Sequence, residues 1–139
     1  DANVGEIALV LANDCYTTSE RDVLIKGLET INKQAAQLFT KPYLLLTSEQ
    51  KTKLVEQLDK EAKTYNHQKG IYYVPTGPFD RNASPDKKIP HYFTLIKQLT
   101  MFGFFTSEIG ATKVLRYDAI PAKYNGNLEY KKGDKAWAT

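Results

Sequence analysis

Two helix-start signals, each followed by a long amphipathic stretch, constrain this sequence more than any other feature. Residues 47–50 fit the capping-box pattern, in which Thr47 caps the helix and the Gln50 side chain reaches back to it. Hydroxyl side chains at 17–19, followed by the acidic Glu20, mark a second start, because hydroxyl oxygens accept from unpaired N–H groups and acids suit the helix dipole. We therefore expect a long helix after each signal.

The stretches behind these signals repeat apolar residues at helical spacing. The first stripe consists of Val23, Leu24, Leu28, Ile31, Ala35 and Leu38, and the second of Leu54, Val55, Leu58, Ala62 and Tyr65. Gly27 interrupts the first helix, which suggests a close crossing by another element, and Pro42 marks its end. A shorter helix is predicted from Val4 to Leu11, ending near residues 13–14.

A strongly apolar helix is predicted after Pro90, a residue that suits a first helical turn. One face carries Phe93, Ile96, Leu99, Thr100 and Gly103, and the other faces carry Tyr92, Leu95, Met101 and Phe102. A helix that is apolar all round is typical of a central position, so we expect the other helices to surround it, with Phe93 and Phe102 in the core and Gly103 at its end. A short helix should follow at 111–115.

Two stretches lack periodicity. Glycine and proline punctuate residues 69–90, which predicts a long loop: an arm, a lid, or a poorly ordered segment that is mobile or ordered by a partner. The fold class is thus all-α, a compact four- to five-helix domain with a long Pro/Gly loop and an extended, irregular aromatic C-terminal tail. We expect a single domain over 1–139, made of a helical part at 1–68, the loop at 69–90, the apolar and short helices at 91–116, and the tail at 117–139.

Composition excludes several classes of protein. Hydrophobic residues make up 42% and charged residues 25%, and the mean hydropathy is −0.46, so the chain is neither disordered nor inserted in a membrane. The single cysteine, Cys15, excludes an internal disulfide framework. The net charge of +3 is too small to imply nucleic acid, and all of it lies within residues 113–139. Such a basic end either contacts an acidic partner or is simply solvated.

The sequence shows no pattern for holding a cofactor or for catalysis. The two histidines, His67 and His91, have no ligand-spaced neighbours, and the scattered glycines match no phosphate-binding loop. A histidine at a helix start is more often structural than catalytic. We therefore expect no catalytic, cofactor-binding or metal-binding residue in this chain.

Aromatic density distinguishes the C-terminal third, since residues 90–139 hold nine of the sixteen aromatic residues. Tyrosine and tryptophan suit protein interfaces because they bury a large area at little entropic cost and keep one polar atom satisfied. The tail can therefore fold back on the helices or bind another protein. Our candidates for partner binding are Phe104, Phe105, Thr106, Ser107, Tyr117, Pro121, Tyr124, Tyr130 and Trp137.

The same region carries a family resemblance. Residues 91–100, the linked run Gly-Phe-Phe-Thr-Ser-Glu-x-Gly at 103–110, residues 114–117 and 124–126, and Lys-Ala-Trp-Ala at 135–138 resemble the gluconate 2-dehydrogenase subunit 3 family. Residues 27–28, 41–43 and 46–50 are also similar to it. The resemblance covers most of residues 20–139. Relatives commonly have a cysteine where this chain has Asn127, so a disulfide used by relatives there is missing.

The resemblance implies a role and its partners. Members are small, non-catalytic subunits of flavin-dependent sugar or polyol dehydrogenases; the large subunit, of the glucose–methanol–choline (GMC) group, holds the FAD, and a cytochrome c subunit often takes the electrons. The small subunit typically carries a twin-arginine signal and escorts its partner out of the cytoplasm. We thus expect a periplasmic or otherwise exported chain without its signal segment, with no cofactor of its own.

Two alternatives come from the residues themselves. The chain could be a free-standing helical domain that binds a carbohydrate or another small ligand in a groove under the 69–90 loop, where Tyr72 and Tyr73 could stack on sugar rings. It could also be an enzyme that uses His91. Calorimetry with sugars on the isolated chain and turnover of a His91→Ala variant separate these alternatives from an accessory subunit.

Overall fold

A computed structural model describes residues 2–72, 88–120, 126–129 and 131–138. These residues form helices α1 (Val4–Cys15), α2 (Thr18–Phe39), α3 (Ser48–Gln68) and α4 (Tyr92–Phe105), a 3₁₀ turn (Tyr43–Leu45) and a π-helical turn (Gly110–Val114). The described residues include no β-strand, and an isolated bridge pairs Arg116 with Trp137. The all-α prediction is confirmed.

The helix starts follow the sequence signals closely. At α3, the Gln50 backbone N–H donates to Thr47 Oγ1 over 3.3 Å, and the Thr47 N–H donates to Gln50 Oε1 over 3.0 Å. At α2, Thr17 caps the helix in the same reciprocal way, with Glu20 as the residue that reaches back. The predicted capping box at Thr47 is confirmed, and the second start signal is a complete capping box too.

Backbone contacts divide the chain into two compact units. One unit is Leu11–Leu99, which we call the helical unit; the other consists of Asp1–Val10 and Thr100–Thr139, which we call the terminal unit. Each is described by itself below. The single-domain organisation expected from the sequence stays a prediction.

The core of the helical unit is built mainly on α3. Leu54, Leu58 and Ala62, one turn apart, are buried at 4% exposure or less. The buried cluster is completed by Ala35, Leu46 and Phe93. Since the second predicted stripe supplies these three α3 residues, the amphipathic pattern located the buried face of α3 correctly, while Val55 and Tyr65 lie at its exposed edge.

The buried face of α2 differs from the predicted stripe. Leu24 and Ala35 are buried, but Leu28 and Leu38 are 47% and 51% exposed. Gly27 is buried instead, and a Cβ placed there would overlap the Tyr92 side chain. The close crossing suggested by Gly27 is thus confirmed, and it is made by the first residue of α4.

Asn66 joins the end of α3 to the start of α4. Its Oδ1 accepts from the His91 N–H over 3.0 Å, and its Nδ2 donates to Thr94 Oγ1 over 2.9 Å. One turn further along α4, the Lys97 ammonium lies 2.8 Å from Asp59 on α3. These bonds fix the first half of α4 against α3 within the helical unit.

The prediction that α4 is surrounded on all sides is wrong for its second half. Leu95 and Leu99 are buried, but Met101 and Phe102 are 52% and 48% exposed, so Phe102 is not a core residue. Gly103 does not end the helix, which continues to Phe105. The apolar character of these faces therefore reflects an exposed surface and not a central position.

The remaining predictions fall partly outside the described residues. Most of the 69–90 loop, including Tyr73, lies outside them, as do Pro121, Tyr124 and Tyr130 of the tail. The short helix predicted at 111–115 is present as the π-helical turn Gly110–Val114. Among the helices of the described ranges, none has the length and apolar character needed to cross a membrane.

Candidate functional site

The end of α4 and the hydrogen-bonded turn that follows it, both in the terminal unit, include four of the candidate residues, at 104–107. The Ser107 hydroxyl, in a residue only 8% exposed, donates to the Phe104 carbonyl over 2.6 Å and accepts from the Gly110 N–H over 3.1 Å. Thr106 Oγ1 donates to the Phe102 carbonyl over 2.7 Å. Because one buried hydroxyl joins the helix end to the π-helical turn, the backbone of this corner is well fixed.

Gly110 is required by the same corner. A Cβ at this position would overlap the carbonyl oxygen of Phe104, which is backbone and cannot move aside easily. The close approach positions the rings of Phe104 and Phe105, whose centroids lie 5.3 Å apart in an edge-to-face arrangement. Phe104 is half-buried, whereas Phe105 is 39% exposed, so the corner presents the Phe105 ring to solvent.

The described part of the tail folds back along the segment after the π-helical turn. The Arg116 N–H donates to the Ala136 carbonyl over 2.7 Å, and the Ala138 N–H donates to the Arg116 carbonyl over 2.8 Å. The Arg116 guanidinium lies 4.9 Å from the centre of the Trp137 ring, and Trp137 remains 46% exposed. The tail therefore folds back at this position and still exposes the Trp137 ring to solvent.

The candidate residues divide by their surroundings. Phe105, Tyr117 and Trp137 present apolar surface to solvent, while Ser107 and Thr106 make hydrogen bonds that shape the corner. Pro121, Tyr124 and Tyr130 lie outside the described residues. The binding role of the whole set stays a prediction.

Sequence reasoning missed much of the exposed apolar surface in the terminal unit. The missed residues are Met101, Phe102, Ile109, Val114, Ile120 and Leu128, which are 37% to 80% exposed. A signal was present, since Met101 and Phe105 lie one turn apart on α4, and apolar residues on every face of a short helix are also typical of an interface. Arg116, which holds Trp137, was missed as well.

A second exposed apolar feature lies in the helical unit. Leu44 and Leu45, on the 3₁₀ turn, are 82% and 68% exposed, whereas the next residue, Leu46, is buried. The apolar run between Pro42 and Thr47 is too short for a helix, and this could have indicated a turn with outward-facing side chains.

His91 makes a structural hydrogen bond at the start of α4 in the helical unit. Its Nδ1 accepts from the Phe93 N–H over 3.2 Å, which satisfies an unpaired donor at the start of α4. Its ring lies 4.1 Å from the Tyr92 ring, and burial lowers its pKa below the ordinary 6.5, against an opposing effect of the Glu61 carboxylate. In the described ranges, no group of three or more potential metal ligands occurs.

Comparison with known protein families identifies the family to which this chain belongs. The family model of gluconate 2-dehydrogenase subunit 3 matches residues 1–122. The chain belongs to the gluconate 2-dehydrogenase subunit 3 family. The match includes the corner at 104–107 and Tyr117, and residues 123–139 lie beyond it. No curated protein and no solved structure matches the chain. The resemblance identified from the sequence is thus confirmed at the level of the family.

Proposed function

We propose that this member of the subunit 3 family is the non-catalytic accessory subunit of an FAD-dependent, GMC-type sugar or polyol dehydrogenase. In this proposal the FAD belongs to the large catalytic subunit, and a cytochrome c subunit accepts the electrons. The accessory subunit supports assembly of the catalytic subunit and its export to the periplasm. Family membership supports the subunit role, and the partner, the cofactor and the location are part of the proposal.

The observation that carries the proposal is the apolar surface of the terminal unit. The large apolar side chains exposed in its described residues after Thr100 are Met101, Phe102, Phe105, Ile109, Val114, Tyr117, Ile120, Leu128 and Trp137, each at 37% or more. Proteins that stay monomeric seldom expose so many large apolar side chains within so short a stretch, because each exposed ring or branched chain forgoes the free energy of burial. A partner protein that covers them recovers that free energy.

The size of a stable interface supports a wrapped arrangement. Obligate subunit contacts bury about 2,000 Å² or more in total. A chain of 139 residues reaches such an area most readily when an extended segment adds to the contact made by a folded corner. The corner at 104–107 and the segment from Tyr117 onward supply these two parts.

Co-expression with a GMC-type flavoprotein dehydrogenase from the same organism tests the proposal. A tagged accessory chain should retain the flavoprotein, recognised by its visible flavin absorbance, through affinity and size-exclusion chromatography. Deletion of residues 117–139 should weaken that association and lower dehydrogenase activity. If the truncated chain supports unchanged association and activity, the tail has no role in binding.

A control separates the accessory subunit from the carbohydrate-binding alternative. Calorimetry of the isolated chain with the sugar that the complex oxidises should show no measurable binding heat, and the complex should bind it. Export is tested by fractionation of cells that express the flavoprotein with and without this chain. We expect periplasmic flavoprotein only when both are made.

A further inference from the structure

A shallow, positively charged cleft lies in the terminal unit where the tail returns to the π-helical turn. Arg116, Tyr117, Gly133 and Lys135 are among the residues that line it, and Asp134 is the acidic residue in the lining. The Lys135 ammonium donates to the Lys113 carbonyl over 2.5 Å, which holds the lysine against the opposite wall. The cleft thus brings cations from two separate segments together.

Arg116 is fixed in this cleft before any ligand arrives. Its backbone makes two hydrogen bonds to the tail, at 2.7 Å and 2.8 Å, and its guanidinium lies over the Trp137 ring, 4.9 Å from the ring centre. A side chain that is already ordered loses less conformational entropy on binding. A guanidinium stacked on a ring still offers N–H donors at its edge, in a geometry that matches a carboxylate.

The cations of the cleft form no ion pair within the part of the chain that the structure describes, and with Asp134 the lining keeps a net charge of +1. No described carboxylate lies within 4.0 Å of the charged groups of Lys113, Arg116 or Lys135. The Asp134 carboxylate accepts from the Lys131 backbone N–H, which orients it within its own turn. Residues 113–139 carry six basic and three acidic residues and hold the whole net charge of +3.

We propose that this cleft binds a carboxylate side chain from an acidic segment of the flavoprotein subunit. This inference rests on the proposed function and adds the chemistry by which the partner is recognised. The bound carboxylate would lie between Arg116 and Lys135, beside the exposed rings of Tyr117 and Trp137. Arginine, tyrosine and tryptophan are the residue types that dominate binding energy at protein interfaces.

The geometry favours a protein segment over an anionic membrane surface. Helices that lie on membranes spread their cations along one side of an amphipathic helix. Here the cations converge in a concave cleft formed by a turn and a folded-back strand-like segment, with Gly133 at φ +101° in the turn that aims Lys135. A single projecting side chain fits such a site.

Binding kinetics with the purified flavoprotein subunit test this inference. Arg116→Glu and Lys135→Glu in the full chain should each slow association about tenfold or more at low salt, since like charges then face each other. The difference should shrink toward zero near about 0.5 M salt, where charges are screened within a few ångströms. Arg116→Lys should keep the fast association and dissociate faster, because the forked contact is lost.

A matched control variant and lipid vesicles distinguish the possible outcomes of this experiment. Lys33→Glu makes the same charge change at an exposed position of α2 and should bind like the wild type. If the wild type binds no flavoprotein, the proposed function fails; if it binds and the cleft variants bind equally well at low salt, only this inference is overturned. Vesicle binding that needs Arg116 and Lys135, with unchanged flavoprotein binding, assigns the cleft to lipid and also overturns it.

Discussion

At the scale of single residues, Gly27 marks the place where α2 and the start of α4 cross closely. A Cβ there would meet the Cβ and ring of Tyr92, which cannot turn away because they are close to its backbone. We expect Gly27→Ala to lower the free energy of unfolding by about 1–3 kcal/mol, although alanine favours helices by about 1 kcal/mol. Urea unfolding measures this. Gly5→Ala, with nothing within 4 Å, should be neutral or stabilising, and equal effects of both substitutions would contradict the crossing.

Ser107 is the residue on which the corner after α4 depends. Ser107→Ala removes the donor to the Phe104 carbonyl and leaves the Gly110 N–H without its hydroxyl acceptor in a buried position. We expect a loss of about 1–3 kcal/mol in unfolding free energy. Thr106→Ala, which removes an exposed hydroxyl at the helix end, should change it by less than about 0.5 kcal/mol. Thermal unfolding of both variants checks the difference, and equal losses would argue against a special role for Ser107.

Whether the sequence alone predicts a residue's contacts depends on how far apart along the chain the contacting residues lie. The reciprocal bonds of Thr47 and Gln50 join residues three apart, so the sequence pattern alone determines them. Gly27 could be recognised as a site of close approach, but its partner Tyr92 lies far along the chain and could not be named. The pairing of Arg116 with Trp137 could not be predicted for the same reason, because the two residues lie far apart in the sequence.

At the scale of elements, the cap of α3 sets where that helix begins. Thr47→Ala removes the acceptor for the Gln50 N–H, and we expect it to cost about 1 kcal/mol of stability. Thr52→Ala, inside the same helix, removes a hydroxyl that bonds only to the Ser48 carbonyl and should be neutral or stabilising by up to about 0.7 kcal/mol. Chemical denaturation of the pair tests the cap, and a harmless Thr47→Ala would contradict it.

The start of α4 depends on pH through His91. Its pKa is lowered in the folded chain, so the unfolded chain takes up the proton first, and stability falls as pH drops below about 6.5. Protonation also removes the Nδ1 acceptor for the Phe93 N–H. His91→Asn keeps an acceptor and does not titrate, so its stability should decline less than that of the wild type between about pH 7 and 5. Parallel curves of unfolding free energy against pH would contradict this role.

The elements show where a periodic pattern is ambiguous. In α3 one face is apolar and the other charged, so the buried residues Leu54, Leu58 and Ala62 could be predicted. In α4 every face is apolar, and the pattern fits both a central helix and a helix with an exposed binding face. The second half of α4, with Met101 and Phe102 exposed, is of the latter kind. Periodicity cannot separate the two, because a side chain that will be covered by a partner resembles one covered by its own chain.

At the scale of the whole molecule, the two units differ in the surface they present. The helical unit has a buried cluster centred on α3, and its exposed large apolar side chains are spread over several elements, with Leu44 and Leu45 the most exposed leucines. The terminal unit combines large exposed apolar side chains with a cleft lined by Arg116 and Lys135, and its residues 113–139 hold the whole net charge of +3. The family match supports a subunit of a larger assembly. In the function we propose, the surface that binds the partner lies in the terminal unit.

Hydrogen exchange of the free chain and of its complex with the flavoprotein subunit tests this claim most directly. We expect backbone amides at 101–120 and 131–138 to exchange more slowly in the complex, while most of α2 and α3 is unchanged. Slower exchange confined to the helical unit, around Leu44 and Leu45, with unchanged exchange in the terminal unit, would contradict the account.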